Sequence, residues 1–392
     1  MNWGAIMKIG KQLTIAILLA FFATPSLAAV DDAKALGQFQ EIVKAIERRS
    51  FEQIKDVFDQ TDMMNRVYSH RAVEPDVRDY LRANFQWFVE SEFSSSIPPE
   101  EVRASVDLIE FSFQDGVGRA AVRYGLLGHS YAITVFELRH DRRGRLVIVE
   151  WIDTRAGSTL SAQISDSLLT IKPNKEATRK LLAIKSPSDL ELFQFSEILK
   201  ADRDREPTRF FEIYDDLDEQ LKREVLIVRR AVKMALRIED MTRMMETLEI
   251  YVEVSAEDPN LGLMISEIRI ALGDYEAAYT TLQRFHQSFW VQEGAIPAKL
   301  SALALAIGKL EEAEKFGLEA TIDEPELELG WWSLLRARAA SQDYEGSLEA
   351  LTYLEDEFGH RLDEVKLRRD KFRGFVKLAE SQEFKDWRAS RD

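Results

Sequence analysis

Near its C-terminal end the chain repeats one phrase at a spacing of about 34 residues, and this constrains the fold more than any other feature. Leu272-Gly273-Asp274-Tyr275-Glu276-Ala277-Ala278 returns as Ile307-Gly308-Lys309-Leu310-Glu311-Glu312-Ala313, and again as Ser341-Gln342-Asp343-Tyr344-Glu345-Gly346-Ser347. The steps between Gly273, Gly308 and Gln342 are 35 and 34 residues. A unit of that length is a helix–turn–helix too small to bury its own apolar face, so copies must stack into a solenoid. The copy around Gly308 sets the register. With Gly308 at position 15, Ala313 falls at 20 and Ala320 at 27, where small residues let the paired helices approach. Pro325 falls at 32, where one helix must end before the next begins. Trp331, position 4 of the following unit, fills the gap between units.

In period and in these residues the region resembles the tetratricopeptide (TPR) repeat family, over roughly residues 225–360. Glu239-Asp240 lies 34 residues before Gly273 and, with Pro259, marks a degenerate fourth copy. The resemblance implies a protein or peptide partner held in an inner groove, lined by the first helix of each unit near positions 2, 5, 9 and 12. Here those are Asn260, Leu263, Glu267 and Ile270, then Ala295, Ala298, Ala302 and Leu305, then Leu329, Trp332, Arg336 and Ala339. The expected groove is small and apolar, with Glu267 and Arg336 as polar exceptions. It lacks the lysine and asparagine set with which some TPR proteins clamp a peptide carboxylate. Trp332 is the candidate anchor, since buried aromatics dominate recognition. Packing against the C-terminal helix or the first domain is an equal reading of it. An apolar groove also fits being filled by another part of this chain.

The start of the chain reads as an address. Lys8 and Lys11 precede an apolar run from Leu13 to Ala23, closed by Thr24-Pro25-Ser26-Leu27-Ala28-Ala29. This is the pattern of a bacterial-type signal peptide cleaved near Ala28, so a periplasmic or secreted protein is expected. The run is short for a bilayer, and no later stretch reaches the ~20 apolar residues of a membrane helix, so no stable insertion is expected after cleavage. The sequence has no cysteine. Disulfides, thiolate nucleophiles and cysteine metal sites are thereby excluded.

Charge narrows the partner. The net charge of −16 is uneven: residues 30–155 carry 17 basic and 22 acidic side chains, residues 156–392 carry 33 and 46. A surface this acidic disfavours nucleic acid and anionic lipid, both of which need basic contacts. It permits a basic or neutral partner, and solubility accounts for it equally well.

Before the repeats the pattern changes. Leu36, Phe39, Ile42, Val43, Ile46, Phe51, Ile54 and Phe58 recur at helical intervals across 31–60, and a second helix is expected over 74–93. Segments around 103–113, 119–127, 129–140 and 145–154 are rich in Val, Ile, Phe and Tyr, and turn signals separate them at Asp115-Gly116, Gly128 and Asp141 to Gly144. Helices followed by an antiparallel meander give an α+β domain whose curved sheet wraps a helix. That order, with the closing phrase Gly144 to Asp153, resembles the nuclear transport factor 2 and ketosteroid isomerase superfamily over residues 31–165. The resemblance implies a cone-shaped sheet, and in the family's enzymes an acidic base facing an apolar cavity.

Candidates for such a cone pocket are Glu150, placed on one strand face with Leu146, Ile148 and Ile152, and Asp107, flanked by Val106 and Leu108. Tyr68, His70, His129 and Tyr131 are the available partners. A carboxylate among apolar residues has the raised pKa a general base needs. The alternative is structural: Glu150 faces solvent or the solenoid, or pairs with Arg123 or Arg139 across the sheet. The five histidines show no metal-ligand spacing, and no phosphate-cradling glycine loop or nucleophile elbow occurs, so no metal or cofactor is expected.

Polar, turn-rich sequence over 156–190 precedes two expected helices, near 189–201 and 206–238, which place a linker and capping helices over 166–224. The tail over 361–392 reads as one capping helix. The fold class expected is an α+β cone-like domain followed by an all-α TPR-type solenoid. The function expected is an exported, non-enzymatic scaffold that binds a protein or peptide through the groove, in envelope assembly. A carrier or sensor of a small apolar ligand in the cone, and an enzyme using a cone carboxylate, are the alternatives.

Overall fold

A computed structural model describes residues 27–70, 73, 75–98, 103–126, 130–154, 157–171, 188–238, 240–255, 261–370 and 372–391. The expected leader lies outside these residues except for Leu27 and Ala28, which open the first helix. His129 and Asn260 also lie outside them.

Helix α1 (Leu27–Glu47) buries Ala35, Phe39, Ile42 and Ile46, one face of a helical period. The single helix expected across 31–60 is broken after it. Arg49 takes a left-handed φ of 51°, which ends the helix, and the short α2 (Phe51–Ile54) and a 3-10 turn at Lys55–Val57 follow. Helices α3 (Gln60–His70) and α4 (Pro75–Ser96) complete the helical layer.

Strands β1 (Arg103–Gln114), β2 (Val117–Leu126), β3 (Ser130–His140), β4 (Leu146–Asp153) and the two-residue β5 (Ser158–Thr159) form one antiparallel sheet in chain order. The β1–β2 hairpin turns on Asp115 and Gly116, both at positive φ, as a two-residue turn of this hand requires. The sheet's inner face, with Val122, Tyr124, Phe136, Ile148 and Trp151, wraps Phe39 of α1 and Phe85 and Phe88 of α4. Helix α5 (Leu160–Ile171) closes this core with Leu160, Ile164 and Leu168.

The second half is helical. Helices α6 (Asp189–Arg203), α7 (Pro207–Asp215), α8 (Glu219–Lys222) and α9 (Val225–Arg237) lead into it. The helix expected over 206–238 is therefore three helices: the Asp218 carboxylate accepts the Gln220 amide and starts a new one inside an apolar pattern that runs on without a break. Four pairs follow: α9 with α10 (Met241–Val254), α11 (Gly262–Ala271) with α12 (Tyr275–Ser288), α13 (Ala295–Ala306) with α14 (Leu310–Asp323), and α15 (Glu328–Ser341) with α16 (Tyr344–Asp356). The repeated phrase is the turn inside a pair. Gly273, Gly308 and Gln342 sit at φ 77°, 80° and 61°, the left-handed residue that ends a helix. Asp274 and Asp343 then cap the next helix through the amides of Ala277 and Gly346. Trp331 stacks on Tyr353 with ring centres 3.8 Å apart and donates to the Pro325 carbonyl, which ties the unit boundary together.

The tail folds as three helices rather than one: α17 (Glu364–Arg369), α18 (Arg373–Glu380) and α19 (Gln382–Arg391). Phe375, Leu378 and Phe384 close the last repeat against Leu335, Leu351 and Leu354. Among the described residues no helix is long and apolar enough to cross a membrane.

The outer face of the sheet leans on the repeats. Ala121, Tyr131, Ile133 and Val135 share one apolar cluster with Leu263, Ala295 and Ile296 of the first helices of two units. Gly157, at φ 59°, lies so close to the start of α11 that a Cβ there would fall 1.6 Å from a Leu261 methyl.

Candidate functional site

Where the sheet and the repeats diverge they leave a cleft of about 1180 Å³. Ser105 to Ile109 of β1, with Arg123, Gly125 and Tyr131, form one wall. The other comes from the segments leading into α13 and α15 and from α15 itself, with Glu293, Glu324, Trp332 and Arg336.

A buried ion cluster forms the floor. Arg123, on β2, is 6 % exposed and reaches across to the repeats. Its Nη1 and Nη2 donate to the Glu324 carboxylate at 2.7 and 2.6 Å, the two-pronged geometry that suits a guanidinium. Nη1 also lies 3.4 Å from Glu293, and Nη2 3.7 Å from Asp107. Glu293 in turn accepts the amides of Ala295 and Ile296 at 2.8 and 2.6 Å, capping α13. Burial pushes the Glu293 carboxyl above its usual range. Burial acts on Glu324 in the same direction, yet the hydrogen bonds and charge of Arg123 outweigh it and hold that carboxyl below 4.5. Burial would lower the Arg123 pKa, but the surrounding carboxylates raise it, so the guanidinium stays charged.

Helix α15 supplies the open wall. Trp332 is half-buried, donates from its indole nitrogen to Glu328 at 2.7 Å, and meets the His360 ring edge-on at 5.5 Å. Arg336 is exposed, with its guanidinium 6.0 Å from the centre of the Phe375 ring. Tyr131 closes the inner end beneath Lys299, whose ammonium lies 5.0 Å from the ring centre. The Tyr131 hydroxyl is buried without a hydrogen-bond partner among the described residues, and burial, then the Glu293 charge, raises its pKa.

The groove residues expected from the repeat divide in two. Leu263 and Ala298 are buried, Leu305 is half-buried, and Glu267 is paired with Lys299. Ala302 is exposed. Of the named groove residues, Ala295, Leu329, Trp332 and Arg336 line the cleft, and three of these four belong to the last unit.

The cone-pocket candidates also separate. Asp107 and Tyr131 lie on the outer side of the sheet, at the cleft, not on its inner face. Glu150 does not share a face with Leu146 and Ile148. The pairing runs Leu138 with Ile148 but Glu137 with Glu150, so a bulge at Val149 flips the strand and turns Trp151 inward in its place. Glu150 is buried at the start of α5, accepting the amides of Trp151 and Ser161 at 3.0 and 3.1 Å and the Ser161 hydroxyl. Burial raises its pKa, as a general base would need. His70 Nε2 lies 2.8 Å from the same Ser161 oxygen. Serine, not histidine, is central in this chain of contacts and is 1 % exposed, so the arrangement holds a helix end and does not present a nucleophile. Neither Arg123 nor Arg139 pairs with Glu150; Arg139 pairs with Asp59 and Asp62 instead. Sequence reasoning missed Glu293 and Glu324, since nothing local marks a partner some 200 residues away in the chain.

No family model matches this sequence, and no curated protein matches it either. Solved structures similar to part of it include YrrB, a TPR protein with an unusual peptide-binding site, at 16 % identity and TM-score 0.37 over 49 % of this chain and 92 % of that one. MamA from Desulfovibrio magneticus RS-1 overlays at 12 % identity and TM-score 0.35, over 45 % of this chain and all of that one. PilW, a type IV pilus biogenesis factor, overlays at 9 % identity and TM-score 0.32, over 51 % of this chain and 99 % of that one.

Proposed function

We propose that this protein is a non-enzymatic binding scaffold that holds a protein or peptide in the cleft between the sheet and the last repeat. The observation that carries this reading is the placement of Trp332 and Arg336, which line an open cleft while Leu263 and Ala298 of the earlier units are buried. A half-exposed indole on a rigid helix is the kind of anchor that dominates interface energies. The inner face of the cone is filled by Phe39, Phe85, Phe88, Phe136 and Trp151, and no observation favours a ligand or a reaction there. We also assign residues 31–165 and 225–360 to the two working units, and we place the protein in the envelope on the strength of its leader.

The test is in-cell cross-linking of the wild type beside Trp332→Ala. We expect a partner that the substitution loses while the circular dichroism spectrum stays the same. Equal recovery of partners by the two proteins sinks the assignment. Fractionation checks the location: full-length, uncleaved protein in the cytoplasm would refute it.

A further inference from the structure

Strand β1 is the edge of the sheet, and among the described residues its outer side pairs with no other strand. The cleft opens on that edge. Successive side chains of a strand point to opposite faces, so a cavity over a face touches alternate residues. It does so on β2, where Arg123 and Gly125 line it, but on β1 it touches Ser105, Val106, Asp107, Leu108 and Ile109 in succession. Val106 and Leu108 turn their side chains to the inner core, so the cleft meets them through backbone along the open edge, where amides and carbonyls unused by β2 project. The regular stretch from Ser105 to Leu108, before the irregularity at Ile109, is roughly 13 Å long and offers room for about four residues of added strand.

The rest of the cleft selects charge. Seven acidic side chains line it against two arginines, and one of those, Arg123, is consumed by Glu324 and Glu293. On the solenoid rim Asp323 and Glu326 are exposed and make no ion pair among the described residues. A second observation is independent of the carboxylates. Tyr131, only 6 % exposed, lines the cleft with a hydroxyl that has no hydrogen-bond partner among the described residues. Buried hydroxyls are ordinarily bonded, and a donor or acceptor arriving in the cleft would satisfy this one.

We propose that the cleft takes an extended peptide segment bearing lysine or arginine, which adds as a strand to the free edge of β1 and sets its basic side chains against the acidic solenoid rim. The proposal rests on the binding-scaffold reading and names its ligand. Backbone pairing supplies affinity that tolerates sequence, and the carboxylates select basic side chains at alternate positions. Trp332 offers a flat surface for an aliphatic stem or a cationic head.

The test is calorimetric titration of the full chain with three probes. These are a blocked octapeptide alternating lysine with valine and threonine, the same peptide with glutamate for lysine, and the lysine peptide N-methylated at alternate residues. The lysine peptide should bind, with an affinity that falls as salt rises, and the glutamate peptide should not. N-methylation, which removes strand-pairing donors, should abolish binding. Asp323→Asn with Glu326→Gln, both at exposed positions, should weaken binding about tenfold and flatten its salt dependence. Equal binding of the lysine and glutamate peptides overturns the charge selection. Full binding of the N-methylated peptide overturns the strand addition. If no peptide binds while Trp332→Ala still loses a cross-linked partner, this inference fails and the scaffold stands. If Trp332→Ala loses nothing, the scaffold itself fails.

Discussion

The same repeat positions serve two purposes in one molecule. In the units built on α11 and α13, the first-helix face is pressed against the outer side of the sheet: Leu263, Ala295 and Ile296 lie in a cluster with Tyr131, Ile133 and Val135. In the last unit the corresponding face of α15 looks onto a cleft, with Trp332 and Arg336 at its wall. A groove that looked continuous is thus half core and half surface. The apolar half is occupied by the chain itself and the charged half is left open. What looked like a binding surface is, in its most apolar part, the means by which two folding units are fixed to each other.

The sharpest way to break the comparison is to remove the charge at its seam. Arg123→Met leaves Glu293 and Glu324 in the interface without their cation, and breaking a buried pair from one side costs about 3–5 kcal/mol. Urea unfolding should show that loss, and Arg123→Met with Glu324→Gln should regain part of it. A loss below about 1 kcal/mol would mean that water reaches the cluster and that the seam is not closed. The effect carries a pH signature. Glu324 is held below its ordinary 4.5, so its contribution is complete above 4.5 and is lost as pH falls through the lower folded value. Glu293, raised by burial, runs the other way and gives up stability as pH rises through its folded value. The gap between wild type and Arg123→Met should therefore narrow as pH drops below 4.5. A gap that widens there would reverse the assignment of Glu324 as the arginine's main partner.

Leu263 and Trp332 sharpen it next, because equivalent positions should fail in opposite ways. Leu263→Ala removes a buried side chain from the sheet–repeat cluster and should cost about 2–4 kcal/mol in urea unfolding. Trp332→Ala, half-exposed, should cost about 1 kcal/mol or less and act on binding instead. If both substitutions cost the same, the groove is not divided as described.

The repeat was legible because its turn needs one backbone conformation. Three residues spaced 35 and 34 apart all take a positive φ, and glycine at two of them made the period visible. The strands were legible for a similar local reason, since Asp115-Gly116 and Gly144 mark turns that alternating apolar runs then fill. The site was not. Small residues such as Ala298 suit a helix that receives a ligand and a helix that receives a sheet, and spacing alone does not separate the two. The face of Glu150 was misassigned because one inserted residue, Val149, inverts everything after it on β4, and no composition signal marks a bulge inside a run of Leu, Val and Ile. Arg123 and Glu324 met only when two units with separate cores packed together.

The smallest expected effect falls on the open half and separates its stability from its binding. Gln342 ends α15 at φ 61°, where the two earlier units have glycine. A side chain costs about 1–2 kcal/mol in that conformation, and glycine's greater freedom in the unfolded chain takes back roughly 0.4–1. Gln342→Gly should thus raise stability by about 0.5–1 kcal/mol, read as a small upward shift in the thermal midpoint. The residue is exposed and does not line the cleft, so partner recovery should stay at the wild-type level. A fall in stability would mean that the glutamine makes a contact worth more than its strain. Lost binding at unchanged stability would mean that the end of α15 belongs to the binding surface, which would carry the open half of the groove beyond the cleft.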